Sequence, residues 1–215
     1  IDAMFRQTQT NETKPFKTHV FPGKVFAVDY DLGRVRYAYY DKDYSNTEFR
    51  APTNRGGVYR NDGVDIEACK DQVTNGYGVG WTEDGEWMQY TIEVNESGQY
   101  NLSFRVASEQ DGGQFHMTMD GSPVGNKLRV PNTGGWQKWE TLETGPVQLE
   151  QGKHTFRVKV DVGGFNLNYF EARQATLSQT EKAQDELSVL PSGNNIKIKV
   201  PDAFDRPLKV NLYDM

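Results

Sequence analysis

This 215-residue sequence contains a single cysteine, Cys69, so it can assemble neither an intrachain disulfide nor a thiolate metal cluster. Nowhere do apolar residues run for the roughly 20 positions that a helix needs to cross a bilayer. Basic residues do not dominate either. The 24 Lys and Arg stand against 30 Asp and Glu, a formal charge of -6, which excludes nucleic acid as the expected partner because nothing draws the chain to phosphate. The three histidines, His19, His116 and His154, lie far apart without metal-ligand spacing. Gly76, Gly78 and Gly80 imitate a phosphate loop, but a strand follows them where a helix N-terminus would be needed. Glu83 and Glu86 flank a turn as a glycosidase pair would. Nothing in the sequence supplies the enclosed cleft or raised pKa of a general acid, so no catalytic residue is expected.

What the sequence does have is aromatic residues at 12%, 21 glycines and a succession of short alternating runs. In 86–94, Met88, Tyr90, Ile92 and Val94 alternate with Trp87, Gln89, Thr91 and Glu93, which defines a buried face and an outer face. The same period of two recurs through Tyr100, Leu102, Phe104 and Val106, through Phe115, Met117 and Met119, and through Phe156, Val158 and Val160. Many short strands without an amphipathic helix between them predict an all-β fold of two packed antiparallel sheets, a β-sandwich or jelly roll. Cys69 is expected as a buried thiol within it.

Residues 1–20 have the polar, proline-closed pattern of a tail and linker, and 21–174 form the predicted sandwich. The Gln/Glu/Thr-rich stretch 175–188 is a second linker, and 189–215 is a partial β segment with alternation in 194–200 and 208–213. Ile1 is not an initiator methionine followed by a signal segment, so the chain is expected to be a processed piece of something longer.

Two tryptophans stand out because their local sequence gives them no core to enter. Trp81 lies in GYGVGWTEDG and Trp136 follows Gly134-Gly135, and both positions are predicted loops. A pyranose offers a face of C–H bonds and an edge of hydroxyls, so a sugar site needs flat apolar platforms with a few polar groups at the rim.

From about Phe21 to Arg173 the sequence resembles family 6 of the carbohydrate-binding modules, jelly-roll modules appended to bacterial glycoside hydrolases. The resemblance rests on YRNDGVDIEA, VGWTEDGEWMQYTIEV, SGQYNLSFRVAS, VPNTGGWQKWET, LEQGKHTFRV and GGFNLNYFE, in the family's order. It implies a non-catalytic module that binds a polysaccharide, a β-glucan or xylan, for a parent hydrolase. The sugar is clamped between Trp81 and Trp136, with Glu67 and either Asn166 or Asn168 at the polar positions. Two residues apart on a strand, the asparagines share a direction, and the sequence does not choose between them.

A second sugar site in some members implies a role for Trp87, with Gln89 beside it; the competing reading is that a loop or the C-terminal tail covers this tryptophan. The family also holds a structural calcium through glutamates of an IEAE strand. Here that stretch is Val25-Phe26-Ala27-Val28, with Phe26 and Val28 at the glutamate positions. Asp41, Asp43 and Ser45 resemble the first half of a calcium loop that lacks its glycine and terminal glutamate. No other cofactor is implied.

The first residues are similar to the end of a glycoside hydrolase barrel. ELSVLPSGNNIKIKV and LKVNLYDM resemble the start of the sorting domain that Bacteroidetes use for type IX secretion. Together these imply a secreted or cell-surface bacterial enzyme, with this module beside its catalytic domain. The alternative function is structural: an interdomain sandwich whose tryptophans pack against that catalytic domain without binding glycan.

Overall fold

The alternating runs become strands. The computed structural model describes residues 11–42, 54–60, 62–175, 188–192 and 195–199. The strands are β1 (His19–Phe21), β2 (Gly23–Phe26), β3 (Tyr39–Tyr40), β4 (Ile66–Ala68), β5 (Tyr77–Val79), β6 (Trp87–Val94) and β7 (Gly98–Ala107). They continue with β8 (Gly113–Met119), β9 (Ser122–Val130), β10 (Trp139–Glu143), β11 (Val147–Leu149), β12 (Gly152–Val162) and β13 (Asn166–Gln174). One sheet runs β1-β6-β12-β8-β9, with β3 also on β6. The other runs β10-β7-β13-β5-β4, with β11 on β7 and β2 on β13. All these pairs are antiparallel except β1 with β6. The architecture is the predicted β-sandwich.

The inward faces are those that the alternation marks. Met88, Tyr90, Ile92 and Val94 are buried, as are Tyr100, Leu102, Phe104 and Val106, and Cys69 is a buried free thiol. Phe170 of β13 is the hub of the core. Its ring lies 4.8 Å from Tyr90, 5.1 Å from Phe156, 5.9 Å from Phe104 and 6.2 Å from Phe21, joining the two sheets through aromatic contacts.

The chain divides into two compact units, Ile1–Ala175 and Thr176–Met215. In the second, β14 (Ser188–Ser192) and β15 (Asn195–Lys199) form an antiparallel pair. The predicted alternation at 208–213, the hydrolase-like residues 1–10 and the loop positions Asp43 and Ser45 lie outside the described residues.

One expectation about boundaries needs correction. From Asn11 onward, the stretch expected as tail and linker is bonded to the sandwich. Lys14 and Leu32 exchange two backbone hydrogen bonds, of 2.9 and 2.7 Å, Thr13 accepts from Gln89, and His19–Phe21 is itself a strand. Backbone pairing of this kind needs no apolar periodicity, so a polar stretch can carry it.

Candidate functional site

Trp81 and Trp136 are among the few large apolar side chains exposed among the described residues, at 42% and 37%. Trp81 also has φ of +48°, a left-handed conformation that is disfavoured for a bulky residue. The loop is held in place from both sides. Upstream, the Gly80 amide donates to the Asp65 carbonyl. Downstream, the Thr82 hydroxyl donates to the Phe165 carbonyl at 2.6 Å and accepts from its amide at 3.1 Å, and the Gly164 amide donates to the Thr82 carbonyl. Gly163 makes this approach feasible, since a Cβ there would lie 2.1 Å from the Thr82 oxygen.

The Trp136 loop is tied down differently. Ser108 exchanges backbone and hydroxyl hydrogen bonds with Thr133, and its carbonyl also accepts from the Gly135 amide. The Trp136 carbonyl accepts from Asn166 Nδ2 at 2.8 Å. Asn166 Nδ2 also donates to Glu67 Oε1. Gln137 Nε2 reaches the same Glu67 oxygen at 2.9 Å, and Gln137 Oε1 accepts from the Lys70 amide.

Glu67, Asn166 and the two tryptophan loops are therefore one connected group. Gly80, next to Trp81, completes it: a Cβ at that position would lie 3.2 Å from Asn166 Oδ1 and 3.4 Å from Glu67 Cγ. The polar pair thus sits directly against Gly80, the residue before Trp81. Glu67 Oε2 and Asn166 Oδ1 have no protein hydrogen-bond partner among the described residues. Burial pushes the Glu67 carboxyl above its usual range, against the opposing effect of the Gln137 and Asn166 hydrogen bonds.

The two asparagines part company here. The ladder of β13 with β7 slips between Leu167 and Tyr169, a bulge that takes Asn168 out of register. Asn168 is fully buried, and its Nδ2 donates to Asp71 Oδ2 at 3.0 Å and to the Val73 carbonyl at 2.8 Å. Asp71 is also held by the Arg105 guanidinium through two hydrogen bonds, of 2.8 and 3.0 Å. Asn168 thus braces the 71–73 loop and is not joined to the tryptophan group.

Sequence reasoning missed Gln137 and Trp139. Gln137 bridges 70 residues to Glu67, and a lone glutamine in a loop carries no signal of that. The Trp139 ring covers Gly78, the register partner of Glu67, with Cη2 3.6 Å from where a Gly78 Cβ would be.

On the other sheet, Trp87 is half-buried and the Arg157 guanidinium lies 4.2 Å from its ring centre. Gln89 is only 4% exposed, and its amide is used internally. Nε2 donates to Thr13 and Asp31, both at 3.1 Å, and Oε1 accepts from Arg157 at 2.8 and 3.0 Å. The expectation that Gln89 is free to meet a sugar is corrected: the N-terminal segment and Arg157 occupy it.

The calcium site that the family commonly carries does not fit these residues. Phe26 meets the Tyr169 ring edge-on at 6.1 Å, and Val28 is fully buried in the core. Among the described residues no group of three acidic, histidine or cysteine side chains could hold a metal ion. Asp41 is 3% exposed and accepts from the Asp65 amide.

Glu86 departs from the sequence reading in another way. Burial raises its pKa to about 7, a property that the sequence did not suggest. Both its oxygens accept backbone amides, of Lys42 at 3.0 Å and Glu83 at 2.8 Å, so it organises this turn from beneath.

The family model for carbohydrate binding module (family 6) matches residues 58–174. Over 148 residues the chain is 30% identical to the clotting factor G alpha subunit of Tachypleus tridentatus, covering 66% of this chain and 22% of that protein. Over 109 residues it is 28% identical to the beta-agarase AgaO of Microbulbifer thermotolerans, covering 49% of this chain and 9% of the enzyme. It thus spans less than a quarter of the length of either relative. Among solved structures, the carbohydrate binding module CBM6cm-2 from Cellvibrio mixtus lichenase 5A, in complex with cellotriose, aligns with a TM-score of 0.52 and 26% identity. That alignment covers 72% of this chain and 98% of the module.

Proposed function

The chain belongs to family 6 of the carbohydrate binding modules, and from that premise we propose that Trp81 and Trp136 clamp one ring of a β-linked glucan or xylan while Glu67 and Asn166 take its hydroxyls. The module itself is non-catalytic. The observation that carries the proposal is the exposure of both indoles beside a polar pair with free acceptors, one of the indoles on a strained backbone. Exposed tryptophan and a left-handed bulky residue each cost stability, and such features persist where a site needs them. Glu67 Oε2 and Asn166 Oδ1 can accept from adjacent sugar hydroxyls while a C–H face stacks on indole. The Cellvibrio module was solved with cellotriose, a β-glucan fragment, which supports that substrate class.

In this reading the module keeps a secreted bacterial glycoside hydrolase on its polysaccharide and raises the local concentration of catalytic domain at the substrate. The similarity to a β-agarase, an enzyme far longer than the matched region, supports a catalytic partner in the same polypeptide. The C-terminal β segment is proposed as the start of an export domain.

Affinity electrophoresis of the chain and of Trp136→Ala through gels containing β-glucan, xylan or agar tests the proposal. Wild type is retarded by at least one polymer, and the variant migrates freely. Free migration of wild type in every gel would instead favour interdomain packing as the role of the exposed rings.

A further inference from the structure

β7 lies between β13 on one side and β10 on the other. Its last residue, Ala107, stands in register with the first residue of each neighbour, Asn166 of β13 and Trp139 of β10. The chain therefore leaves β7 at Ser108 between the segments that lead into those two strands. One of them, 163–165, holds the Trp81 loop, and the other, 133–138, carries Trp136.

Ser108 is bonded to both segments. Its carbonyl accepts from the Thr133 amide at 2.9 Å and the Gly135 amide at 3.3 Å, and its own amide donates to Thr133 Oγ1 at 2.9 Å. Its hydroxyl lies 2.6 Å from the Gly164 carbonyl oxygen. The Gly164 amide in turn donates to the Thr82 carbonyl at 2.8 Å. The neighbours of the two tryptophans are thus joined by one relay, from Thr82 through Gly164 and Ser108 to Gly135. Three of its members contribute only backbone, and the side-chain link is the Ser108 hydroxyl.

A hydroxyl has one proton, and two carbonyls face this one: that of Gly164 and, at 2.8 Å, that of Gln110. Gln110 is exposed, so water can serve its carbonyl, whereas Gly164 is half-buried and makes the shorter contact. The proton therefore belongs to Gly164. The Gln110 amide donates to the hydroxyl oxygen at 3.0 Å and so restricts its rotation.

Ser108 is fully buried, so it acts on a sugar only through the loops that it ties. Burying a hydroxyl is costly unless its hydrogen bonds are made, and here they are made to the backbone of the two loops. The separation of those loops matters because stacking on two rings depends on the gap between them. An extra 0.5–1 Å forfeits roughly a quarter to a half of each contact.

We propose that Ser108 is a positioning residue of the sugar site, its hydroxyl holding the Trp81 and Trp136 loops at the separation that one pyranose ring fills. This inference rests on the tryptophan clamp and adds to it what sets the gap.

The test is calorimetric titration of the whole chain with cello-, laminari- and xylotetraose, followed by a mutant cycle with the one bound most tightly. Ser108→Ala is expected to weaken binding about fivefold. Added to Trp81→Ala or to Trp136→Ala, the same change is expected to cost no more than about twofold, because with one ring gone there is no gap to set. In the free protein the indole N–H resonances of Trp81 and Trp136 both move in Ser108→Ala, while that of Trp87, on the opposite sheet, stays in place. If Ser108→Ala does not stay folded, Ser108→Cys, which fills similar space with a weak donor, replaces it in every measurement. Affinity within about twofold of wild type in the Ser108 variant, while both tryptophan variants lose binding, overturns the inference and leaves the clamp standing. So does a fivefold loss that persists in the tryptophan backgrounds, or a Ser108 variant in which neither indole signal moves. Tryptophan variants that bind as tightly as wild type overturn the clamp and this inference with it.

Discussion

Replacing Trp81 or Trp136 by alanine removes a stacking surface whose size can be estimated. A tryptophan side chain has up to about 250 Å² to cover, so 42% and 37% exposure leave roughly 100 and 90 Å² for a sugar. At about 25 cal/mol per Å², losing either platform costs about 2.4 kcal/mol, roughly a 50-fold loss of affinity. The double variant separates a clamp from two independent platforms. If both rings hold the same sugar, removing one loosens the grip of the other, and the double variant loses clearly less than the sum of the single losses. Titration calorimetry with the best-bound β-glucan or xylan oligosaccharide, alongside thermal melting to verify folding, gives all four affinities. Folded single variants that each bind within about threefold of wild type would refute the reasoning from exposed area.

The remaining predictions concern residues around that site. Asn168→Ala is expected to lower stability by about 1–3 kcal/mol, through loss of its bonds to Asp71 and Val73, while glycan affinity stays put; Asn166→Ala is expected to lower affinity about tenfold. Denaturant melts paired with affinity gels distinguish the two. For Glu86, a folded pKa of about 7 against 4.5 unfolded means that the folded state holds the proton more tightly. Its contribution is therefore fully present below pH 4.5 and is lost as pH rises through 7. At 1.36 kcal/mol per pH unit this amounts to about 3 kcal/mol, measurable as a fall in stability across that window that Glu86→Gln lacks. Because Phe26 and Val28 stand where calcium ligands would be, chelator and added calcium are both expected to leave the melting temperature unchanged; a clear shift with calcium would contradict the apolar reading of that strand.

The sandwich was legible because its central strands alternate, with Tyr90, Phe104, Phe115 and Phe156 each pointing inward. The edge strand β9 was not: Ser122–Val130 contains Pro123 and Gly125, buries little, and pairs with a register shift, so its sequence has no period to detect. Glu67, the two tryptophans and an asparagine at 166 or 168 could be named from residue type and resemblance. The choice between Asn166 and Asn168 could not, because it depends on a bulge that leaves no mark in the residues themselves. The packing of Asn11–Lys14 and the donors around Arg157 escaped for a related reason. Both are polar contacts between segments distant in sequence, and polar contacts have no periodicity.

The central claim, that a neutral β-linked sugar meets Trp81 and Trp136 together, is tested most directly by following the indole N–H resonances of the four tryptophans during titration with cello-, laminari- or xylo-oligosaccharide. The account predicts that the Trp81 and Trp136 signals move together with one dissociation constant. Trp139, whose Nε1 is buried, and Trp87, under the Arg157 guanidinium, stay in place. Movement of the Trp87 signal alone, or of none of the four with any of these sugars, would contradict it.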